Sequence, residues 1–328
     1  FQNVCLHRGN ELCHGSGSGL TELRCAYHRW SWDLQGRLRE VPSRKGFGTL
    51  RNDDFPLVPV RVGTWGPLVF VCLDDDAPPL DEYLAPVPED SAWMGLEDFR
   101  CTYLVTVPLP ANWKVCIEAF SETYHVQGIH REMLPMCDDV NSPQEIWEHH
   151  GKLVQPYGLP SPRLRGPIDT QTVWEAFVEV MGARVGVDEK GHAGPAPEVP
   201  PGQTLRDVLA QQIRDLWAAR GVDLSRYDTA QIMDLQQYNL FPNITVVAFP
   251  DLLSVIRARP GATPDECFMD AFAFQRMPAG DSSPRTKPTD VTTTPDQPVF
   301  GLVINQDVSN LRYAQKGLHQ PGFTHLAL

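Results

Sequence analysis

Most of the chain carries short, strand-length apolar periodicity, broken by a few helical stretches. Trp30–Leu34 and Arg37–Val41 are β-rich runs on either side of a Gln-Gly turn, and Val58–Val62 and Leu68–Leu73 flank Gly63-Thr-Trp-Gly-Pro67. Asp74-Asp-Asp76 and Pro78-Pro79 are solvated chain and set a domain boundary near residue 80. Cys101–Leu109 alternates as a strand does. Residues 113–127 hold neither Pro nor Gly and predict a helix with Glu118, Glu122 and His125 on one face. Val173–Val185 fits a strand or a short helix. Thr204–Arg220 predicts an amphipathic helix, with Leu205, Val208, Leu209, Ile213 and Leu216 on one side and Gly221 closing it. Another helix starts within Thr229–Gln236. Gln237–Phe249 and Leu252–Ala258 read as one hairpin around Pro250-Asp251, and Cys267–Met277 as a further strand. Val299–Ile304 is β-like and leads into a helix with Asp307 at its start and Val308, Leu311, Gln315 and Leu318 on one face. Gly186–Gly202 reads as a mobile insertion and Gly280–Pro298 as a linker. The predicted class is α+β: an all-β domain over 1–80, then an antiparallel sheet with helices over 81–328.

Composition narrows the function classes. The 328 residues suffice for about two domains, and 42% hydrophobic with 21% charged residues is a globular balance. A net charge of −13 argues against nucleic acid and anionic membranes as partners, because phosphate binding needs clustered Lys and Arg. No apolar run approaches the roughly 18 residues of a membrane span. Eight cysteines scattered through a long chain do not make a disulfide scaffold, which points to a reducing cytoplasm. The chain begins at Phe1 and ends in an apolar stretch, so a fragment of a longer protein is expected.

Two clusters carry chemistry. The first is Cys5-Leu-His7-Arg8-Gly9 followed by Cys25-Ala-Tyr27-His28, two loops that each give one Cys and one His. A tetrahedral zinc could use that inventory, but C-x-H is too tight for a finger with its H-x3-5-H helix. A [2Fe–2S] centre in which two His replace two Cys on one iron needs this set. Cys13 and His14, in the stretch before Gly15–Gly19, read as ordinary loop residues. The second cluster is Glu122, His125 and His130. The two histidines lie five positions apart, roughly 140° on an ideal helix, so they can reach one point only if the helix breaks, for which Gly128 is placed. Two histidines and a distant carboxylate would form the 2-His-1-carboxylate triad of non-haem Fe(II) oxygenases; the plain alternative is a pair of hydrogen-bonded histidines. The adjacent His149-His150 would point apart in a strand.

The segment Cys5-Leu-His7-Arg8-Gly9 to Cys25-Ala-Tyr27-His28-Arg29-Trp30-Ser-Trp32-Asp-Leu-Gln-Gly36 resembles the Rieske domain of ring-hydroxylating oxygenase large subunits. Arg29 is a departure: the family usually has Gly before this Trp. Asn112-Trp113-Lys114 and Glu122-x-x-His125-x4-His130 resemble the catalytic-domain motif of the same family. The resemblance implies a [2Fe–2S] cluster on Cys5, His7, Cys25 and His28, and a mononuclear Fe(II) on His125, His130 and, from the Gln-Asp pattern, Asp307. The alternative for Asp307 is an N-cap or first-turn acid favoured by the helix dipole. It further implies that Glu122, where the family most often has Asp, bridges to a neighbouring subunit's cluster, and that Asn112 lies near the site. The implied fold of the second domain is the helix-grip fold with an apolar cavity over the iron, for which Phe120, Tyr238, Phe241 and Asn243 are candidate lining residues. The resemblance is loose over 186–236, and the family has Rieske strands before Phe1 and a C-terminal helix after Leu328.

The implied activity is O2-dependent hydroxylation of an aromatic or other apolar organic substrate, as in aromatic hydrocarbon catabolism. Electrons would come from NAD(P)H through a flavin reductase, with or without a ferredoxin. The implied assembly is a homotrimer, with or without β subunits, in which electrons cross between chains. The rival readings are an N- or O-demethylating or quaternary-ammonium monooxygenase with the same ligands, a non-catalytic Rieske electron carrier, and a zinc-finger adaptor.

Overall fold

The computed structural model describes residues 1–187, 193–283, 287–297 and 300–326. The chain divides into two compact units, Phe1–Thr64 with Leu68–Leu80, and Trp65–Pro67 with Asp81–Leu328.

The first unit is all β. Strands β1 (Leu23–Arg24), β2 (Ser31–Trp32) and β3 (Leu38–Glu40) form an antiparallel sheet, and β4 (Arg61–Trp65) pairs with β5 (Leu68–Cys72). Its core is small: Cys5, Leu12, Cys25, Trp30, Trp32, Leu38, Val41 and Leu57. Trp32 is fully buried and donates its indole N–H to Phe55 O at 2.8 Å, so the ring fills the core without stranding its polar atom. The run at Val58 enters no strand until Arg61, because Pro59 has no N–H to give a ladder.

From Asp81 on, the second unit takes in the rest of α1 (Leu80–Leu84) and α2 (Val87–Ser91), and it is organised on one eight-stranded sheet. Its strands are β6 (Phe99–Leu109), β7 (Gln144–Ile146), β8 (His150–Gln155), β9 (Leu235–Leu240), β10 (Ile244–Ala248), β11 (Leu252–Pro260), β12 (Cys267–Arg276) and β13 (Thr289–Thr292). The spatial order is β13-β6-β12-β11-β10-β9-β8-β7, antiparallel throughout except for β13 beside β6. The helices are α3 (Trp113–Glu118), α4 (Val126–Ile129), α5 (Thr170–Met181), α6 (Leu205–Ala218), α7 (Thr229–Met233) and α8 (Leu302–Leu318). Alternate residues of β6 (Val105, Val107, Leu109) join Ile256, Ala258, Cys267 and Met269 under Cys116 of α3 and Val308 and Leu311 of α8. A second core gathers α5, α6 and α7 around Phe177, Ile213 and Ile232. Local chemistry starts these helices: Asp169 caps α5 through Thr172 N, and Thr204 and Asp207 form a reciprocal capping box on α6.

Four expectations need correction. The helix over 113–127 is two pieces. It ends at Glu118, and the run Ser121-Glu122-Thr123 hydrogen-bonds locally and to Asp139 O instead of continuing the helix. The break is therefore before Glu122, and Gly128 lies inside α4 with no positive φ. The single hairpin over 237–258 is two, since Pro242 falls between β9 and β10 and cannot donate to a ladder. The linker over 280–298 contains β13, whose ladder partner is β6; residues 284–286 and 298 of it lie outside the described residues. The strand expected over 299–304 is instead the start of α8 from Leu302, with Gly301 as its cap; Val299 lies outside the described residues. Val303 and Ile304 pack against the two cores there, and that burial outweighs their β preference. Of the expected insertion over 186–202, residues 188–192 likewise lie outside the described residues.

Candidate metal centres

The first unit brings Cys5, His7, Cys25 and His28 together on two loops of the same build. Cys5 O accepts from Gly9 N at 2.9 Å and Cys5 N donates to Asn10 O at 2.7 Å; Cys25 O accepts from Arg29 N at 3.1 Å and Cys25 N donates to Trp30 O at 2.9 Å. Each loop therefore turns back on its own cysteine, and the closing residue takes a left-handed conformation in both: φ is 76° at Gly9 and 65° at Arg29. Arg29 thus fills a position that glycine occupies freely. The His7 and His28 rings are 4.6 Å apart, and His7 stacks on Trp30 at 5.0 Å.

These residues fit a two-metal cluster better than one zinc. Ligand atoms around a tetrahedral zinc lie about 3.3–3.8 Å apart. Among the described residues, the only trio of His, Cys, Asp or Glu with ligand atoms within 4.8 Å of one another is elsewhere, so no three of these four converge on one point. His7 Nδ1 is buried without a hydrogen-bond partner, as a ligand atom would be. Burial alone would push the Cys25 thiol up, but the amides of Tyr27 and His28 outweigh it and hold its pKa below the usual thiol value. A depressed pKa favours the thiolate a metal binds. Burial pushes Cys5 up. Cys13 is exposed, and exposed His14 pairs with Glu11, so neither joins the set.

In the second unit the convergent trio is His125, His130 and Asp307. The histidines bracket a single turn, His125 at the start of α4 and His130 at its end, where φ −115° and ψ 45° leave helical geometry. Their rings lie 5.1 Å apart at 74°. Asp307 stands in the second turn of α8 and not at its start, buried beside Val308 and Leu311, so the cap or first-turn alternative does not hold. His130 Nε2 is 3.0 Å and His125 Nε2 3.8 Å from Asp307 Oδ1.

Hydrogen bonds fix what these atoms present. Glu122 Oε1 is 2.7 Å from His125 Nδ1, and Glu122 Oε2 accepts from His125 N at 3.0 Å. An ionised carboxylate only accepts, so His125 carries its proton on Nδ1 and offers an Nε2 lone pair. Gln306 Oε1 sits 2.8 Å from His130 Nδ1, which leaves His130 Nε2 bare as well. His130 Nε2 and Asp307 Oδ1 are both buried and make no hydrogen bond. Two acceptor atoms 3.0 Å apart in a buried pocket, neither hydrogen-bonded, call for a cation near both, and the donor set suits Fe(II). Burial opposes ionisation of Glu122, but its bonds from His125 prevail and hold it below the usual carboxylate range. Burial also opposes protonation of His130, yet the nearby Asp307 and Gln306 raise its pKa above the ordinary value.

The candidate lining residues do not gather. Tyr238 is fully buried with its hydroxyl on Asp90 at 2.7 Å, and Asn243, in the turn between β9 and β10, donates to Ala258 O at 2.7 Å. Phe120 packs in the core shared by α3 and α8. Phe241 lines a cavity of about 500 Å³ between α3 (Trp113, Ile117) and the segments 144–152 and 239–244. None of the trio lines that cavity. Asn112 caps α3 through Lys114 N at 2.9 Å and donates to Pro264 O, and so acts on the helix that precedes the site. His150 is buried between Tyr83 O and Phe241 N, and His149 stacks on Tyr83. Gln306 and its partner Glu132, missed in the sequence, were signalled only by lying beside Asp307 and His130.

The family model described as "Ring hydroxylating alpha subunit (catalytic domain)" matches residues 96–328, and the "Rieske [2Fe-2S] domain" model matches 1–58. The glycine betaine monooxygenase oxygenase subunit of Pseudomonas aeruginosa is 33% identical over 147 residues, 44% of this chain and 34% of that protein. The carnitine monooxygenase oxygenase subunit of Escherichia coli is 30% identical over 49% of this chain and 43% of its own length, and the biphenyl 2,3-dioxygenase subunit alpha of Rhodococcus jostii 35% over 38% and 28%. The matches thus span less than half the length of these relatives. A crystal structure of a quaternary ammonium Rieske monooxygenase with L-carnitine superposes over 98% of this chain and 68% of that one, with TM-score 0.61 and 16% identity. Naphthalene 1,2-dioxygenase from a Rhodococcus species does so over 97% and 68%, with TM-score 0.57 and 18% identity; at these identities the likeness is one of fold.

Proposed function

Since the chain belongs to the ring-hydroxylating alpha-subunit family, with a Rieske domain ahead of its catalytic domain, we propose that it is the oxygenase component of a multicomponent system that hydroxylates an aromatic or other apolar organic substrate with O2. The observation that carries this reading is the gathering of His125 Nε2, His130 Nε2 and the buried Asp307 oxygen within 4.8 Å of one another, with the last two lacking any hydrogen bond. Cys5, His7, Cys25 and His28 would hold the [2Fe–2S] cluster, and His125, His130 and Asp307 the Fe(II). When bound, the cluster supplies single electrons and the mononuclear iron activates O2 at positions the three protein ligands leave open.

The chain's own residues set the conditions. Asp307 brings one negative charge into a buried site with two neutral imidazoles, leaving a divalent ion there net positive. Glu122 accepts the Nδ1 proton of His125, fixes its tautomer and raises its basicity. Its carboxylate is half-exposed, which suits a bridge to the Rieske domain of a neighbouring chain in a homotrimer, with or without β subunits. Electrons would come from NAD(P)H through a flavin reductase, with or without a ferredoxin. The absence of a disulfide among the six cysteines outside the proposed cluster supports a reducing, cytoplasmic setting, and among the described residues no helix is long and apolar enough to cross a membrane.

A second reading, oxidative demethylation of a quaternary ammonium compound, is favoured by the glycine betaine and carnitine monooxygenases among the relatives. Single-turnover O2 consumption by the reduced protein, with product analysis over a panel of aromatic and quaternary-ammonium compounds, separates the two. Hydroxylated aromatic product is the expected result. Product from betaines alone selects the second reading, and no product from a fully metallated protein would count against both.

A further inference from the structure

We infer that Gln306 is a positioning residue for the mononuclear metal: its amide oxygen holds His130 with the proton on Nδ1 and Nε2 bare beside Asp307, and Glu132 decides which way that amide points. This rests on the reading of His125, His130 and Asp307 as metal ligands. The two histidines are supported unequally. His125 is held by a carboxylate, which can only accept a proton whichever oxygen faces the ring. His130 is held by an amide, which has an accepting end and a donating end. Were the NH2 end of Gln306 to face His130, Nδ1 would have to accept and the ring proton would move to Nε2. That proton would occupy the Nε2 lone pair the metal needs, 3.0 Å from Asp307 Oδ1. Gln306 Nε2 instead donates to Glu132 Oε2 at 3.2 Å while Oε1 takes the His130 proton at 2.8 Å. Glu132 lies in the turn Arg131–Met133 directly after His130, so one short segment supplies both the ligand and the group that orients its support. Gln306 precedes Asp307 on α8, so the same helix turn supplies the third ligand.

The test is Co(II) titration of protein with its cluster loaded and its mononuclear iron removed, read by the visible bands of the bound cobalt. Parent protein is expected to bind and Asp307→Ala not to. Gln306→Leu should weaken binding about 10–100-fold, the range for removing such a support, and change the cobalt bands. Glu132→Ala, a change at an exposed residue, should weaken it less. The double variant Gln306→Glu with Glu132→Gln keeps an acceptor on His130 and swaps the two ends of the relay, and it should recover most of the affinity. A purely structural role for Gln306 would lower thermal stability without this rescue. If parent and Gln306→Leu bind cobalt alike, or the double variant stays as weak as Gln306→Leu, this inference fails while the metal reading stands. If the parent binds no cobalt, both fail.

Discussion

The two candidate centres are assembled in opposite ways. The candidate cluster ligands lie between residues 5 and 28, on two loops that each fold back on their own cysteine, so most of their geometry is local. The trio at the second site joins one helical turn at His125–His130 to a helix that begins at Leu302, and only the packing of α3 and α8 over the sheet brings the parts together. The local centre announces itself by residue type and spacing. The long-range one depends on the whole catalytic domain, and spacing alone does not join its two histidines to Asp307.

That contrast is open to attack from either side. The largest effect is expected at the cluster: Cys25→Ser should cost the protein its brown colour and acid-labile sulfide, and with them all reductase-driven oxygenation, while Fe(II) binding at the second site persists. Loss of both metals together, in protein that keeps its far-UV circular dichroism, would mean the two centres are not independent. A middle-sized effect is expected from Glu122→Gln. Both metals should remain, since His125 keeps a hydrogen-bond acceptor, but transfer from cluster to iron should slow by about 10–100-fold. Stopped-flow reoxidation of the cluster measures it, and an unchanged rate would remove Glu122 from the route. The smallest effect concerns Arg29, at φ 65°. A side chain there costs about 1–2 kcal/mol, so Arg29→Gly should stabilise the Rieske unit by about 1 kcal/mol, less what glycine's freer unfolded chain takes back. Thermal loss of the cluster's visible absorbance would register it, and a fall in the melting temperature would show that the Arg29 side chain makes a contact worth more than the strain.

The same contrast governs what the sequence disclosed. Both cysteine-histidine loops could be read directly, and even the Arg29 anomaly acquires its meaning from a backbone angle that its counterpart Gly9 shares. The histidine pair was visible, but not the reason it works. Spacing alone suggested a long helix broken at Gly128. The real break comes earlier, because Thr123 bonds to Asp139 O and Glu122 turns back on His125, contacts that depend on tertiary folding. Asp307 was found by family pattern, and its true place in the second turn of α8 followed from Gly301 capping a helix whose first residues look like a strand. The polar β13 was invisible because its ladder partner, β6, lies far away in sequence. Tyr238 and Asn243 looked like pocket residues by type, yet Asp90 and Ala258 O claim their polar atoms.

The central claim is that His125, His130 and Asp307 hold an iron separate from the cluster. Iron and acid-labile sulfide counted on the same samples of parent and Asp307→Ala protein test it most directly. The expected result is one iron fewer per chain in the variant, with unchanged sulfide, an unchanged Rieske spectrum and no product in a single turnover. Equal iron in the two proteins, with equal product, would contradict it.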